Sequence, residues 1–238
     1  MIILLICFLI FIHELGHFIA AKVSGIPIAR FSIGFGPVLF SRTIAGTQYC
    51  ICALPLGGYV MPDGINEITD LYNIPLKKRL FYTLGGPLAN ILFAIFGILL
   101  LNLIAGNISF YSIVIDPAKQ TMLYVYKIAC SLSAIFTHTN QLSGIIGIVT
   151  QGSALVGMDL VKLLRFGIFL SVNLAVFNLL PLPPLDGGSI MVYLLGRINP
   201  KLLKIHVPLA VTGWVLILGL MLYATVLDIG RLSAAVSA

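Results

Sequence analysis

The sequence predicts an all-α polytopic membrane protein: four transmembrane helices, with a re-entrant, membrane-associated β-hairpin between the first and second. Three observations carry that prediction. Hydrophobic residues make up 59% of the 238 and charged residues only 9%, giving a mean hydropathy of +1.08. A soluble domain carries about 25% charged residues, so this chain has too little polar surface to coat a globule in water. The few charges also leave four apolar stretches, each long enough to cross hydrocarbon. Between the first two lie short β-branched runs broken by glycine and proline, which is strand rather than span composition. A soluble enzyme is excluded, and residues 1–238 read as one membrane-embedded domain.

The spans are expected at about 2–23, 83–105, 160–182 and 207–229. The first lacks a basic n-region and carries His and Glu where a cleavable signal has small residues, so it reads as a retained span. The hairpin is expected within about 31–60, as runs 37–43 and 47–54 joined by Ile44-Ala45-Gly46. Such a hairpin can dip into the bilayer only where protein or a wet cavity shields its backbone, and a surface hairpin is the plainer alternative. A fifth stretch, 121–136, is too short to span. It follows Asp116-Pro117, contains Lys127, and suits an amphipathic helix on the membrane surface.

The formal charge of +6 does not point to nucleic acid, because the basic residues are scattered between apolar runs without a stripe. They report orientation instead. Lys22, Arg30, Arg42, Lys77, Lys78 and Arg79 fall between spans one and two, and Arg197, Lys201 and Lys204 between spans three and four. Those loops are therefore cytoplasmic and both termini lie outside, with Lys162 and Arg165 at the outer end of span three. Cys7, Cys50, Cys52 and Cys130 form no CxxC pair and leave the redox compartment open.

Among eight acidic residues, Glu14 lies inside a span and Asp186 just past another, while Asp159 and Asp228 sit at outer ends. An intramembrane carboxylate costs at least about 2.5 kcal/mol on insertion scales, so by default it marks function. Residues 13–17 read His13-Glu14-Leu15-Gly16-His17, an HExxH pattern on a helix. Imidazoles at i and i+4 share a face about 6 Å apart in rise, so both can reach one metal ion with Glu14 beside them. A catalytic zinc site needs a third protein ligand. Asp186, in Asn178-Leu-Leu-Pro-Leu-Pro-Pro-Leu-Asp186-Gly-Gly, lies at the same cytoplasmic depth. His138 falls in the outer loop, and His206 at the start of span four is a reserve candidate. Asp186 can equally be a turn residue beside Gly187-Gly188.

At these residues the chain resembles the site-2 proteases, zinc intramembrane metalloproteases of the bacterial envelope-stress type. The matching pieces are HELGH at 13–17, FSIGFGP at 31–37, YCICALPLGGYV at 49–60, LGGPLANILFA at 84–94 and NLLPLPPLDGG at 178–188. The resemblance implies one zinc ion per chain held by His13, His17 and Asp186, with Glu14 as catalytic glutamate and Asn178 in substrate handling. It makes 37–60 similar to a re-entrant hairpin in which Gly57 and Gly58 let the backbone approach substrate, a plain turn role being as consistent. Implied substrates are single-span transmembrane or signal-peptide-like proteins, cut near the cytoplasmic side of a bacterial inner membrane, with lipid as the surrounding partner. Two departures stand out: only about 54 residues separate spans two and three, too few for a PDZ domain of ~100 residues, and Ser143-Gly144-Ile145-Ile146-Gly147 lacks the proline of the family's Gly-Pro-Ile motif. A catalytically inactive scaffold homologue and a metal transporter are the alternatives. The full HExxH and Asp186 argue against the first; the clustering of polar groups at one depth argues against the second.

Overall fold

The computed structural model describes residues 1–64, 70, 73–132 and 143–236. Among the described residues four helices are long and apolar enough to cross a membrane: Ile2–Val23, Leu76–Ile104, Leu160–Asn178 and His206–Arg231. In chain order the elements are α1 (Ile2–Val23), β1 (Ile28–Ile44), β2 (Thr47–Pro62), α2 (Leu76–Ile104), α3 (Asp116–Ser131), α4 (Ile145–Val156), α5 (Leu160–Asn178), α6 (Asp186–Ile198) and α7 (His206–Val236).

The spans fall where hydropathy puts them, and the displaced ends have local causes. α2 begins at Leu76 rather than 83, because its first turns carry Lys77, Lys78 and Arg79, helical residues that are not hydrocarbon residues. α5 stops at Asn178, short of 182, since Pro181, Pro183 and Pro184 follow and the residue before a proline is driven out of the helical region. The surface helix α3 starts at Asp116 with Pro117 in its first turn, five residues before its expected start. Its expected end, residues 133–136, lies outside the described residues. α4 and α6 were not foreseen, each being too short to stand out by hydropathy.

α1 and α2 cross through glycine. A Cβ on Gly16 would stand 2.2 Å from the Gly85 carbonyl oxygen, and one on Gly85 would stand 2.5 Å from that of Gly16. Small residues of this kind let two helix backbones approach where lipid supplies no hydrophobic drive. α5 packs on the other side of α2, with Ala94, Ile98, Ile128, Ile168, Val172 and Val176 forming a core shared with α3.

The hairpin turns at Ala45 (φ 49°) and Gly46 (φ 80°), the pair of positive-φ residues that a two-residue loop requires. Each strand is also bent, so two strands make a sheet four runs wide. Ser32 pairs with both Tyr59 and Cys50, and Cys50 pairs with both Ser32 and Ser41. The order across the sheet is therefore 38–44, 47–52, 28–33, 58–62. Gly34 (φ 87°) makes the bend in β1 against the Leu54 carbonyl, where a Cβ would stand 2.6 Å away. Residues 48–51 are paired on both sides, so the 47–54 run offers no free strand edge there. Among the described residues the free edges are 38–44, which exposes Leu39 and Phe40, and 58–62, which faces α1 and α2.

Candidate metal centre

His13 and His17 sit one turn apart on the face of α1 that meets α2, and both are buried. Asp186 reaches them from the start of α6, and the loop before it explains how. After α5 ends, residues 179–185 double back so tightly that a Cβ on Gly187 would meet the Leu179 carbonyl at 2.1 Å and one on Gly188 the Pro183 nitrogen at 2.1 Å. The two glycines that suggested a turn instead allow a helix to start inside its own lead-in loop, aiming the first side chain at α1.

The three groups converge. His13 Nε2 lies 3.1 Å from Asp186 Oδ2, His17 Nε2 3.4 Å from Asp186 Oδ1, and the two Nε2 atoms 3.2 Å apart. Donors bonded to one tetrahedral zinc ion at 2.0–2.1 Å stand about 3.3 Å from each other, so the spacing is that of a ligand set. Among the described residues this is the one group of three that could hold a metal. Tautomers agree with it. His17 Nδ1 donates to the Tyr82 carbonyl at 2.9 Å, which fixes the proton there and leaves the Nε2 lone pair facing the cluster. His13 Nδ1 lies 3.1 Å from the Asn90 side-chain amide, which is fully buried and whose Oδ1 has no partner. Turning that amide over sets Oδ1 on an Nδ1–H, the hydrogen bond a metal-binding imidazole requires. Gly86 supplies the floor, since a Cβ there would come within 2.3 Å of His17 Nε2. Burial pushes the Asp186 carboxyl up, but the His13 and His17 rings beside it hold it below the usual carboxylate range.

The cluster opens into a cavity of about 520 Å³ whose wall includes Glu14, Gly57, Gly58, Asn178 and His206. Glu14 lies beneath the sheet edge: a Cβ on Gly58 would stand 2.9 Å from Glu14 Cγ. Asn178 donates to the Leu174 carbonyl at 3.0 Å, which leaves its Oδ1 and its second N–H for the cavity. His206 is in the wall but outside the three-residue group, its ring edge-on to Tyr193. His138 lies outside the described residues.

A model of peptidase family M50 matches residues 1–222. The chain belongs to peptidase family M50. A Campylobacter jejuni protein whose name describes a zinc metalloprotease is 28% identical over an alignment of 341 positions, covering 97% of this chain and 92% of the relative. A Synechocystis protein with the same description is 27% identical over 335 positions, covering 92% and 91%. A third, from Pasteurella multocida, is 48% identical over 102 residues, 39% of this chain and 23% of that one. Both long alignments exceed the 238 residues of this chain, so those relatives hold internal stretches with no counterpart here. Family and spans together make this M50 chain an integral membrane protein, and its relatives support a metalloprotease role.

Sequence reasoning named the three groups that the structure brings together and missed the side chains that support them. Asn90 and Tyr82 sit in α2 as ordinary polar residues of a span, and only the crossing of α1 shows what they touch. The sequence signal was LGGPLAN itself: a polar residue one turn beyond Gly-Gly-Pro in an otherwise apolar helix carries the same desolvation penalty that marked Glu14.

Proposed function

We propose that this M50 chain is a zinc-dependent intramembrane endopeptidase that hydrolyses peptide bonds in or near transmembrane segments. The observation that carries the reading is the triangle of His13, His17 and Asp186 donors at 3.1–3.4 Å, with Glu14 in the same buried cavity. Zinc held by that donor set supplies Lewis-acid polarisation of a carbonyl and lowers the pKa of water toward about 7. Glu14 takes the proton from the attacking water and delivers it to the leaving amine. The Asn178 amide donates to the scissile carbonyl or to the substrate backbone.

A substrate helix hides its peptide bonds in its own hydrogen bonds, so a segment must unwind before it is cut. The 58–62 run supplies the partner for it. Among the described residues this edge has no strand partner on its outer side; it borders Glu14 at Gly58 and is braced by the Tyr82 hydroxyl donating to the Val60 carbonyl at 3.0 Å. An extended substrate added along it has its backbone satisfied and its scissile bond over Glu14. Gly57 and Gly58 keep side chains out of that path. The charge bias of the loops supports a multi-pass inner-membrane location with the site toward the cytoplasm, and single-span or signal-peptide-like helices as substrates.

The test is reconstitution in vesicles with a single-span reporter. The wild-type protein is expected to bind one zinc per chain and cut the reporter, to stop on chelation and to recover on zinc addition. Glu14→Gln is expected to keep the zinc and lose at least about 100-fold in rate, the upper scale for a general base being larger still. Normal turnover by Glu14→Gln, or cleavage that survives complete zinc removal, overturns the proposal.

A further inference from the structure

A second cavity, of about 450 Å³, lies far from the metal centre. From Gly86 beneath the ligands to Asn102 at its wall is about 24 Å along α2 at 1.5 Å per residue. It sits where α2 ends, α3 lies across the surface and α5 begins. By the loop charges this is the outer membrane interface. Its polar wall is formed by Asn102, Asn107, Gln120, Tyr124 and Arg165, over an apolar floor that includes Ile168 and Phe169.

The hydrogen-bond accounting gives that wall two unlike ends. Asn102 Nδ2 donates to the Ser112 carbonyl at 2.7 Å and to Asp116 Oδ2 at 2.9 Å, so both amide hydrogens are taken and Oδ1 is the atom left to offer. Gln120 Nε2 donates to the same Asp116 oxygen at 2.7 Å. Those two hydrogen bonds, from Gln120 and then Asn102, hold the Asp116 carboxyl below the usual range, so it stays charged. This end therefore presents acceptor oxygens backed by a carboxylate. The same wall carries Arg165, exposed and with no hydrogen bond or ion pair to any described residue. It lies five residues into α5, about 7.5 Å of rise from the helix start, within snorkelling reach of the headgroup layer. A cation there is placed to meet a headgroup anion.

We propose that this cavity is a binding site for the headgroup of an aminophospholipid, with its phosphate on Arg165 and its ammonium on the amide oxygens of Asn102 and Gln120, which Asp116 backs. The charge pattern selects the class. A simple anion would satisfy Arg165 but leave the amide oxygens of Asn102 and Gln120 without a donor. A choline headgroup has no N–H to give Asn102 and Gln120, and a glycerol headgroup brings no cation to those two amides, which hydrogen-bond the Asp116 carboxylate. Phosphoethanolamine matches both ends, and the apolar floor runs from the phosphate toward hydrocarbon, where acyl chains lie.

Native mass spectrometry of the detergent-purified full chain tests it, with dioleoyl phosphatidylethanolamine, phosphatidylcholine and phosphatidylglycerol as probes and inorganic phosphate as competitor. Phosphatidylethanolamine is expected to be retained about tenfold better than phosphatidylcholine, the size of one charge-assisted hydrogen bond to the ammonium. Arg165→Gln should lower retention of phosphatidylethanolamine by a similar factor. Gln120→Leu, which keeps the arginine, should erase the preference over phosphatidylcholine, so the proposal stays testable if the arginine variant fails to fold. Equal retention of all three lipids, or phosphatidylethanolamine binding untouched by both substitutions, overturns it. Preference for phosphatidylglycerol, or displacement by inorganic phosphate, overturns it too and leaves a plain anion site.

Discussion

Gly86→Ala tests the metal geometry without altering a single ligand. The added methyl would sit 2.3 Å from His17 Nε2, 2.6 Å from His13 Nε2 and 2.7 Å from His13 Cε1. Non-bonded heavy atoms want about 3.5 Å, so both imidazoles must retreat by about 1 Å or α2 must back away by as much. The second route is closed, because α5 packs on the other side of α2, where a Cβ on Gly97 would already stand 2.7 Å from Ile168 Cγ1 and the Ser171 hydroxyl donates to the Asn90 carbonyl at 2.9 Å. Zinc–nitrogen bonds tolerate about 0.2 Å, so the displacement is several times what ligation can absorb. Losing an outer hydrogen-bond partner alone costs 10–100-fold in metal affinity, and losing a nitrogen ligand should exceed about 100-fold. Zinc per chain is measured by mass spectrometry after dialysis against a graded chelator, with circular dichroism and gel filtration as checks on folding. A well-folded Gly86→Ala protein that holds zinc as tightly as wild type refutes the reasoning, and with it the inference that these nitrogens bind a metal from their present positions.

Asp186→Ala should release zinc at chelator concentrations the wild-type protein withstands, while His206→Ala should not; the reverse result makes His206 the third ligand. Asn90→Leu should weaken zinc binding by about 10–100-fold with helicity unchanged, and Asn90→Asp should restore most of it, because either carboxylate oxygen accepts from His13 Nδ1–H; equal loss in both variants assigns Asn90 to packing. Of the adjacent pair Tyr59→Pro and Val60→Pro, one removes an N–H from the free edge and the other from the ladder. The first should lose cleavage of a transmembrane reporter yet still cut a short extended peptide, and equal effects on both substrates would make the edge a brace. Prolines at Cys50 and Ile51, paired on both sides, should both lower Tm instead.

The spans were legible because hydropathy acts residue by residue and needs no partner. Glu14 and the two histidines were legible for the converse reason: a polar group inside such a run stands out against its cost. Asp186 could be matched in depth but not in direction, since its aim depends on how residues 179–185 close on Gly187 and Gly188, a three-dimensional fact that looks like a turn in one dimension. The hairpin turn at Ala45-Gly46 showed in the sequence and the free edge did not. Which run lies outermost is decided by bends at Gly34 and near Gly57, and a bend changes register without changing composition. Asn90 was hidden because its partner is 77 positions away.

The contact of Gly16 with Gly85 bears on how this enzyme tolerates its surroundings. When bilayer thickness changes, a span responds chiefly by tilting. Two helices in contact tilt about the point where they touch, and displacement grows with distance from that pivot. Here the pivot is a backbone-to-backbone contact one residue from His17 on α1 and one from Gly86 on α2. The far ends of both helices can swing with the lipid while the imidazoles, seated at the fulcrum, scarcely move relative to their floor. A donor cluster placed at a crossing point is thereby insulated from the mechanics of the membrane around it.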